Sequence, residues 1–118
     1  MVIIKESEGP YPLTAKSIDE NVKETIGNYF LGIAAKGIFV VKYVGRSDTN
    51  LNGRLKDYLG DSYSHFKFSY TANPVNAYYQ ECRDYHRFID AGKKLDNEIH
   101  PDKPNNSPNS LVCPICGQ

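Results

Sequence analysis

The fold of this chain is decided by one stretch, "TIGNYFLGIAAKGIFVVKYVGRS", which occupies positions 25–47. Two apolar segments rich in Val, Ile, Phe and Tyr flank a turn at Lys36-Gly37. β-Branched and aromatic residues favour strands, and a glycine between two such runs is typical of a hairpin. We therefore predict two antiparallel strands, near 28–34 and 38–44.

Further elements are predicted on both sides of this hairpin. Before it, Ser17 with Glu20 forms a capping box that predicts a short helix in "SIDENVKET". After it, "DTNLNGRLKDYLG" predicts a helix of about ten residues that ends at its final glycine. The alternating pattern of "HFKFSYT" (65–71) predicts a third strand. Pro74 then opens a long helix that ends at Gly92.

This order of elements predicts an α+β fold, in which a small, mostly antiparallel three-stranded sheet is flanked by helices. We divide the chain into an N-terminal extension with a short helix (1–24), a central domain (25–100) and a C-terminal tail (101–118). Residues 1–16 are expected to be loop-like because of their two prolines. The tail is expected to pack on the central domain.

Composition limits the functional classes. The 118 residues are enough for one domain, and 14 basic residues balance 14 acidic ones. A strongly basic surface for nucleic acid is therefore absent, although a local basic groove is compatible with zero net charge. Three cysteines do not suggest a disulfide framework, and the N-terminal apolar run is too short for a signal peptide or a membrane span. We expect a soluble cytoplasmic protein without membrane partners.

The long helix carries one carboxylate in an unusual place. At about 100° per residue, Glu81 falls within the apolar arc, between Tyr85 and Phe88. A carboxylate there must be paired, bind a metal or lie at a rim. Two interpretations stay open, namely a glutamate paired with an arginine and a metal-binding glutamate.

The shorter helix has a cation in the corresponding position. Arg54 lies beside the apolar face formed by Leu51, Leu55 and Tyr58. Its stem could cover apolar surface while its head reaches water. Alternatively, its guanidinium points into the same pocket as Glu81, where it would suit the oxygens of a phosphate.

The tail ends in a pattern that is typical of zinc sites. Cys113 and Cys116 have the C-x2-C spacing that holds one zinc ion from a tight turn. Cys82 and His86, four residues apart on the long helix, could supply the other two ligands, and His100 is an alternative ligand. We therefore predict a structural Zn²⁺ site that attaches the tail to the helix.

With these residues identified, the sequence resembles the GIY-YIG nucleases over about residues 25–100. "GNY" (27–29) is similar to the first motif of the family, and "YVG" (43–45) to the second. "GRSDTNLNGRLKDY" resembles the segment that carries the family's catalytic arginine and, four residues later, a histidine or tyrosine. Two later residues match a metal-binding glutamate and an asparagine. By this resemblance the catalytic residues are Tyr29, Tyr43, Arg54, Tyr58, Glu81 and Asn97.

Some features depart from the family. Asn28 replaces the isoleucine of the first motif, and we expect its polar side chain at the exposed start of a strand. Val44 replaces the second isoleucine conservatively. The separation of Tyr29 and Tyr43 is slightly long, which suggests an extended hairpin tip. No catalytic group is lost by these changes.

The resemblance implies hydrolysis of phosphodiester bonds by a metal-dependent endonuclease. Glu81 would hold Mg²⁺ or Mn²⁺, Tyr29 would accept a proton from the attacking water, and Tyr43 would assist it. Arg54 would balance charge on phosphorus. Gly45 would leave room for the substrate, and Arg46 is either a second phosphate contact or a solvated loop residue.

The resemblance implies that the partner is nucleic acid, and DNA is favoured over RNA. We also expect either a homodimer or a second protein that provides sequence specificity. Two alternative functions stay open. One is a non-catalytic nucleic-acid-binding module that uses the same groove, and the other is a zinc-stabilised interaction domain. A nuclease is favoured because polar residues from separate parts of the chain all agree with it.

Overall fold

The structure is a computed structural model that describes residues 7–118, so the first six residues of the predicted N-terminal extension lie outside it. Among residues 7–118, no helix is both long and apolar enough to cross a membrane. The elements follow in the order β1 (Glu8–Pro12), α1 (Ala15–Asn21), β2 (Gly27–Ala35), β3 (Ile38–Ser47), α2 (Leu51–Lys56), β4 (His65–Tyr70) and α3 (Pro74–Ile89).

The four strands form one antiparallel sheet in the order β1-β4-β2-β3. The α+β class is therefore confirmed, but the predicted three-stranded sheet is wrong by one strand. The added strand, β1, lies in the stretch that its prolines had marked as loop. It pairs with β4 at the edge of the sheet, where Pro10 and Pro12 are tolerated because only one side of the strand needs donors.

The central hairpin is closed by a tight turn. Lys36 has a φ of 53° and Gly37 a φ of 77°. Two consecutive positive φ angles match the type I′ turn, whose twist fits an antiparallel strand pair. The extra length suggested for this hairpin lies in the paired strands and in a bulge at Lys42, opposite the Leu31–Gly32 step.

The two faces of the sheet carry different layers. Successive strand residues point to opposite faces, so Tyr29 and Leu31 face one side while Phe30 faces the other. The first face packs with the buried residues of α1 and α2. The second face packs with Phe88 of α3 and with Leu95. The central strand β2 thus links both layers.

The first helix begins three residues before its predicted position, whereas the long helix begins at Pro74 as predicted. Thr14, rather than Ser17, caps α1, because its side chain accepts a hydrogen bond from the Ser17 backbone N–H. Asn50 caps α2 and Asn73 caps α3 in the same way. After α3, Gly92 has a φ of 77° and turns the chain back towards the sheet.

The outer edge of β3 is covered by the segment that follows α3. The Asp96 N–H donates to the Lys42 carbonyl at 2.6 Å. The Asn97 side chain then accepts from the Val44 N–H at 3.0 Å and donates to the Val44 carbonyl at 2.8 Å. These bonds place residues 96–97 alongside β3, in the position that a further strand of the sheet would occupy.

The C-terminal tail has its own small core on α3. Leu111 and Cys113 are buried against Tyr78 and Cys82 of the helix. Residues 95–118 form neither helix nor strand, so their order depends on such contacts.

Candidate functional site

A cavity of about 410 Å³ lies where the end of β3 meets α2, α3 and the segment after α3. Four elements of the chain and this segment contribute to its wall, although they are separated widely in sequence. The wall includes most of the residues that the sequence singled out, which are Tyr29, Tyr43, Gly45, Arg46, Arg54, Glu81 and Asn97.

Three tyrosines form a cluster at the floor of this cavity. The Tyr29 hydroxyl is 2.7 Å from the Tyr58 hydroxyl, so Tyr58 reaches the site through Tyr29. The rings of Tyr29 and Tyr43 stack, with an interplanar angle of 16° and centroids 6.4 Å apart. This follows from register: Tyr29 pairs with Gly45, and Tyr43 lies two residues away on the same face of β3.

The environment of the phenols favours their neutral form. Burial raises the pKa of Tyr29 well above its usual range, and the neighbouring Tyr58 raises it further. Burial likewise raises the pKa of Tyr43, while the Arg54 guanidinium acts in the opposite direction on both groups. Neutral hydroxyls can orient a water molecule, and added positive charge would bring them closer to ionisation.

Gly45 is required by the Tyr29 ring. A Cβ atom at position 45 would overlap this ring, which lies directly across the strand pair from it. The space that the glycine provides is therefore used by an aromatic ring that lines the cavity together with it.

We expect Gly45→Ala to lower the free energy of unfolding by about 1–3 kcal/mol, the usual cost of overpacking a closed site. Urea denaturation measures this loss. In a Tyr29→Ala background the same change should cost clearly less, because the ring has been removed. An equal cost in both backgrounds would contradict the proposed contact.

Arg46 connects two carboxylates on the cavity wall. Its Nη1 donates to Glu81 Oε1 at 2.6 Å, and its Nε donates to Asp48 Oδ1 at 2.8 Å. The Arg46 side chain is only 11% exposed and belongs to β3, so the interpretation as a solvated loop residue is wrong. The guanidinium also lies over the Tyr78 ring, 5.4 Å from its centroid.

Asp48 is a site residue that the sequence analysis did not single out. It lines the cavity and shares Arg46 with Glu81. The spacing Arg46-x-Asp48 at the end of a strand could have identified it. Residues i and i+2 of a strand point to the same face of the sheet, so Asp48 is expected on the face of Arg46.

Of the two interpretations that the sequence left open for Glu81, the structure shows the pairing with an arginine. Glu81 also faces the cavity. Burial raises the pKa of its carboxyl group, and the Arg46 charge opposes this rise. Two hard oxygen donors, from Glu81 and Asp48, in one cavity fit the ligand preference of Mg²⁺ or Mn²⁺.

Asn28 attaches the glutamate-bearing helix to the central strand. It is buried, not at an exposed strand start as expected, and its Nδ2 donates to the Ala77 carbonyl at 2.9 Å. This bond joins the first turns of α3 to β2 next to Tyr29. Asn28 therefore links the strand that carries Tyr29 to the helix that carries Glu81.

Arg54 lies at the open side of the cavity. Its Nη1 donates to the Arg46 carbonyl at 3.1 Å, and its side chain is 46% exposed. A long ion contact of 3.8 Å joins its Nε to Asp57. The guanidinium is thus held in the cavity wall by the backbone and keeps donors available towards solvent.

A second group of polar residues lies at the tail. His86, His100, Cys113 and Cys116 each offer a ligand atom, and these atoms all lie within 4.8 Å of one another. Tetrahedral zinc with bond lengths of about 2.0–2.3 Å has its ligand atoms about 3.3–3.8 Å apart. The group could therefore hold a metal ion such as zinc after a small contraction.

The environment of these four residues also fits a metal. Nδ1 of His86 lies 3.2 Å from the Asp90 carboxylate, and Nδ1 of His100 lies 3.0 Å from the Pro101 carbonyl. Such contacts orient metal-binding histidines and leave Nε2 for the ion. Nε2 of His86 is in fact buried without a hydrogen-bond partner. An unpaired buried nitrogen is costly, and a metal would satisfy it.

The cysteine turn has the electrostatics of a thiolate site. Burial raises the pKa of the Cys113 thiol, but the N–H groups of Cys116 and Ile115 and the His100 side chain outweigh it. The result is a pKa of about 6. A thiolate is the form of cysteine that binds zinc.

The structure corrects one predicted ligand. Cys82 does not belong to the group of four, and its place is taken by the alternative, His100. Cys82 is instead fully buried in the small core of the tail, where burial raises its pKa to about 12. One helical turn separates Cys82 from His86: Cys82 packs against Cys113 in the small core, whereas His86 belongs to the group of four.

Comparisons of the chain with protein-family models, with curated proteins and with solved structures gave no match.

Proposed function

We propose that this protein is a metal-dependent endonuclease that hydrolyses phosphodiester bonds in nucleic acid, DNA more than RNA. One observation carries the proposal. A carboxylate (Glu81), a guanidinium (Arg54) and two phenols (Tyr29 and Tyr43) come from four different elements and line one cavity. Metal-assisted phosphodiester hydrolysis can use each of these groups: the carboxylate as metal ligand, the guanidinium as a cation for the phosphate and the hydroxyls near the attacking water.

In this proposal each of these side chains has a task. Arg54, half-exposed at the open side, binds the phosphate and balances the charge that builds on its oxygens. Tyr29 and Tyr43 orient the attacking water with hydroxyls that remain neutral in the free protein. The Tyr58 hydroxyl fixes that of Tyr29, and Asn97 fixes the strand at Val44.

Glu81 and Asp48 are the residues that would hold the divalent cation. When bound, Mg²⁺ or Mn²⁺ stabilises negative charge on the phosphate oxygens and on the leaving group. Arg46 lies between the two carboxylates and forms an ion pair with each of them. This balance of charge explains how acidic groups remain next to a substrate that is itself an anion.

A cleavage screen tests this proposal. Plasmid DNA, single-stranded DNA and structured RNA are incubated with the purified protein in Mg²⁺ or Mn²⁺, and products are resolved by gel electrophoresis. We expect metal-dependent cleavage of at least one substrate. Binding without cleavage in either metal would instead support the non-catalytic nucleic-acid-binding module.

We further propose that the tail cluster binds a structural zinc ion. Four protein ligands leave no open position, which is the pattern of structural rather than catalytic zinc. The histidine contacts with Asp90 and Pro101 and the unpaired nitrogen of His86 support this assignment.

Elemental analysis of the purified protein should find one zinc ion per chain. The double variant Cys113→Ser/Cys116→Ser should lose nearly all of it, because two thiolate ligands are removed. Cys82→Ala is the matched control and should keep its zinc, since Cys82 lies beside the cluster without belonging to it. Zinc retention by the double variant would contradict the assignment.

A further inference from the structure

We propose that the zinc site builds one wall of the substrate cavity, so that zinc in the tail controls cleavage without taking part in it. This inference rests on the proposed nuclease function and concerns the same cavity. It assigns to residues 97–105 a substrate-facing role, in which they form one side of the cavity.

The first argument is where this segment lies. Nearly half of the residues that line the cavity come from positions 97–105. This stretch has neither helix nor strand, and it follows the last regular element of the fold. A cavity wall made of irregular chain needs fixed points, because the conformational entropy of such a segment opposes one arrangement.

The second argument is what fixes the segment. At its beginning, Asn97 is attached to both backbone groups of Val44. Three residues later, His100 belongs at once to the cavity wall and to the group of four metal ligands. Its Nε2 lies 3.4 Å from Cys116 Sγ. One side chain therefore joins the zinc cluster directly to the space that receives substrate.

The third argument is the shape of the surface beside the cavity. A second cavity of about 570 Å³ shares His100, Pro101, Asp102 and Asn105 with the first and continues along the tail. The segment is thus a partition between two adjoining spaces. A nucleic-acid polymer is long enough to occupy both cavities at once. The segment that separates the two cavities would then contact the polymer.

The fourth argument is that the segment has few other supports. Pro101 and Pro104 are buried, but Ile99 is 66% exposed and Asp102 and Asn105 are exposed as well. Within residues 97–105, only these two prolines are buried. Without an ion, the His86 nitrogen also remains unpaired, so the cluster itself is less favourable.

The experiment compares zinc-loaded protein with protein treated with a zinc-selective chelator in excess Mg²⁺. Cys116→Ser serves as a genetic equivalent, because Cys116 is exposed and lies outside both cavity walls. Ile115→Ala is its matched control, with a half-exposed side chain in the same turn and all ligands kept. Amide hydrogen exchange reports local order, and kcat/KM is measured on the best substrate of the cleavage screen.

Zinc removal or Cys116→Ser should raise exchange by about tenfold or more at the hydrogen-bonded amides of Ser107, which donates to Pro104, and Cys113, with β2 unchanged, because only the segment and its tail lose their anchor. Cleavage should fall by about tenfold or more, since misplacement of a positioning group is costly. Returned zinc should restore both properties in the chelated parent, and Ile115→Ala should match the parent throughout.

Unchanged exchange at Ser107 and Cys113, or unchanged cleavage, would overturn the inference. Loss of protection in β2 as well would also overturn it, because zinc would then support the whole fold and not one wall. If the zinc-loaded parent cleaves no substrate, the proposed nuclease function fails, and the exchange measurement still decides whether zinc orders the wall.

Discussion

Replacing Glu81 by glutamine is expected to lower kcat/KM for cleavage by about a thousandfold. The amide keeps the size of the side chain but removes the negative charge that would hold a divalent cation. Loss of one preorganised electrostatic group commonly costs about 10²–10³ in rate. Initial rates over a range of Mg²⁺ concentrations measure the effect, and the variant should also need more Mg²⁺ to reach half of its maximal rate.

Asp84→Asn is the matched control for this variant. Asp84 lies on the same helix, is buried like Glu81, and accepts a hydrogen bond from Gln80 at 2.8 Å. It does not line the cavity. The control should cleave as the parent does, and thermal melting should show that both variants are folded. Parent-like cleavage by Glu81→Gln would refute its role as metal ligand.

Replacing Arg54 by alanine is expected to reduce kcat/KM by about a thousandfold or more, the scale at which arginines stabilise phosphoryl-transfer transition states. Arg54→Lys should recover only part of the loss, because an ammonium group cannot provide the planar fork that fits two phosphate oxygens. Stability should change by less than about 1 kcal/mol, since the only ion pair broken is half-exposed and long.

Lys56→Ala controls for the loss of a cation from the same helix. Lys56 pairs with Asp19 at 2.6 Å and does not line the cavity. Cleavage by this variant should equal that of the parent. If Arg54→Ala and Lys56→Ala had the same small effect, the arginine would contribute only general charge, and the assigned role would be wrong.

Much of the fold could be predicted from local pattern. The hairpin is specified by strand formers on both sides of Lys36-Gly37, and the structure forms the turn at these two residues. The long helix begins at Pro74 as expected. The strand β1 could not be predicted, because its prolines are breakers in isolation and are accepted only at the edge that β4 provides. Whether an edge position is available is a property of the tertiary structure, which local sequence patterns do not contain.

The candidate site was predictable in part, for a similar reason. Residue type and order identified Glu81 and Arg54, and the structure brings both to one cavity. The link between Arg46 and the two carboxylates depends on how α3 crosses the sheet, which the sequence pattern does not state. The choice of His100 over Cys82 as a cluster member depends on the path of an irregular tail, where periodicity gives no guide.

The attachment of Asn97 to Val44 has a consequence for self-association. A sheet grows by adding a strand where backbone donors and acceptors are free. Beside Val44 these groups are already occupied by an amide side chain, and Lys42 is engaged by Asp96. A second copy of the chain therefore cannot extend the sheet at this position, and a homodimer would have to form through another surface, leaving the neighbouring cavity open to substrate.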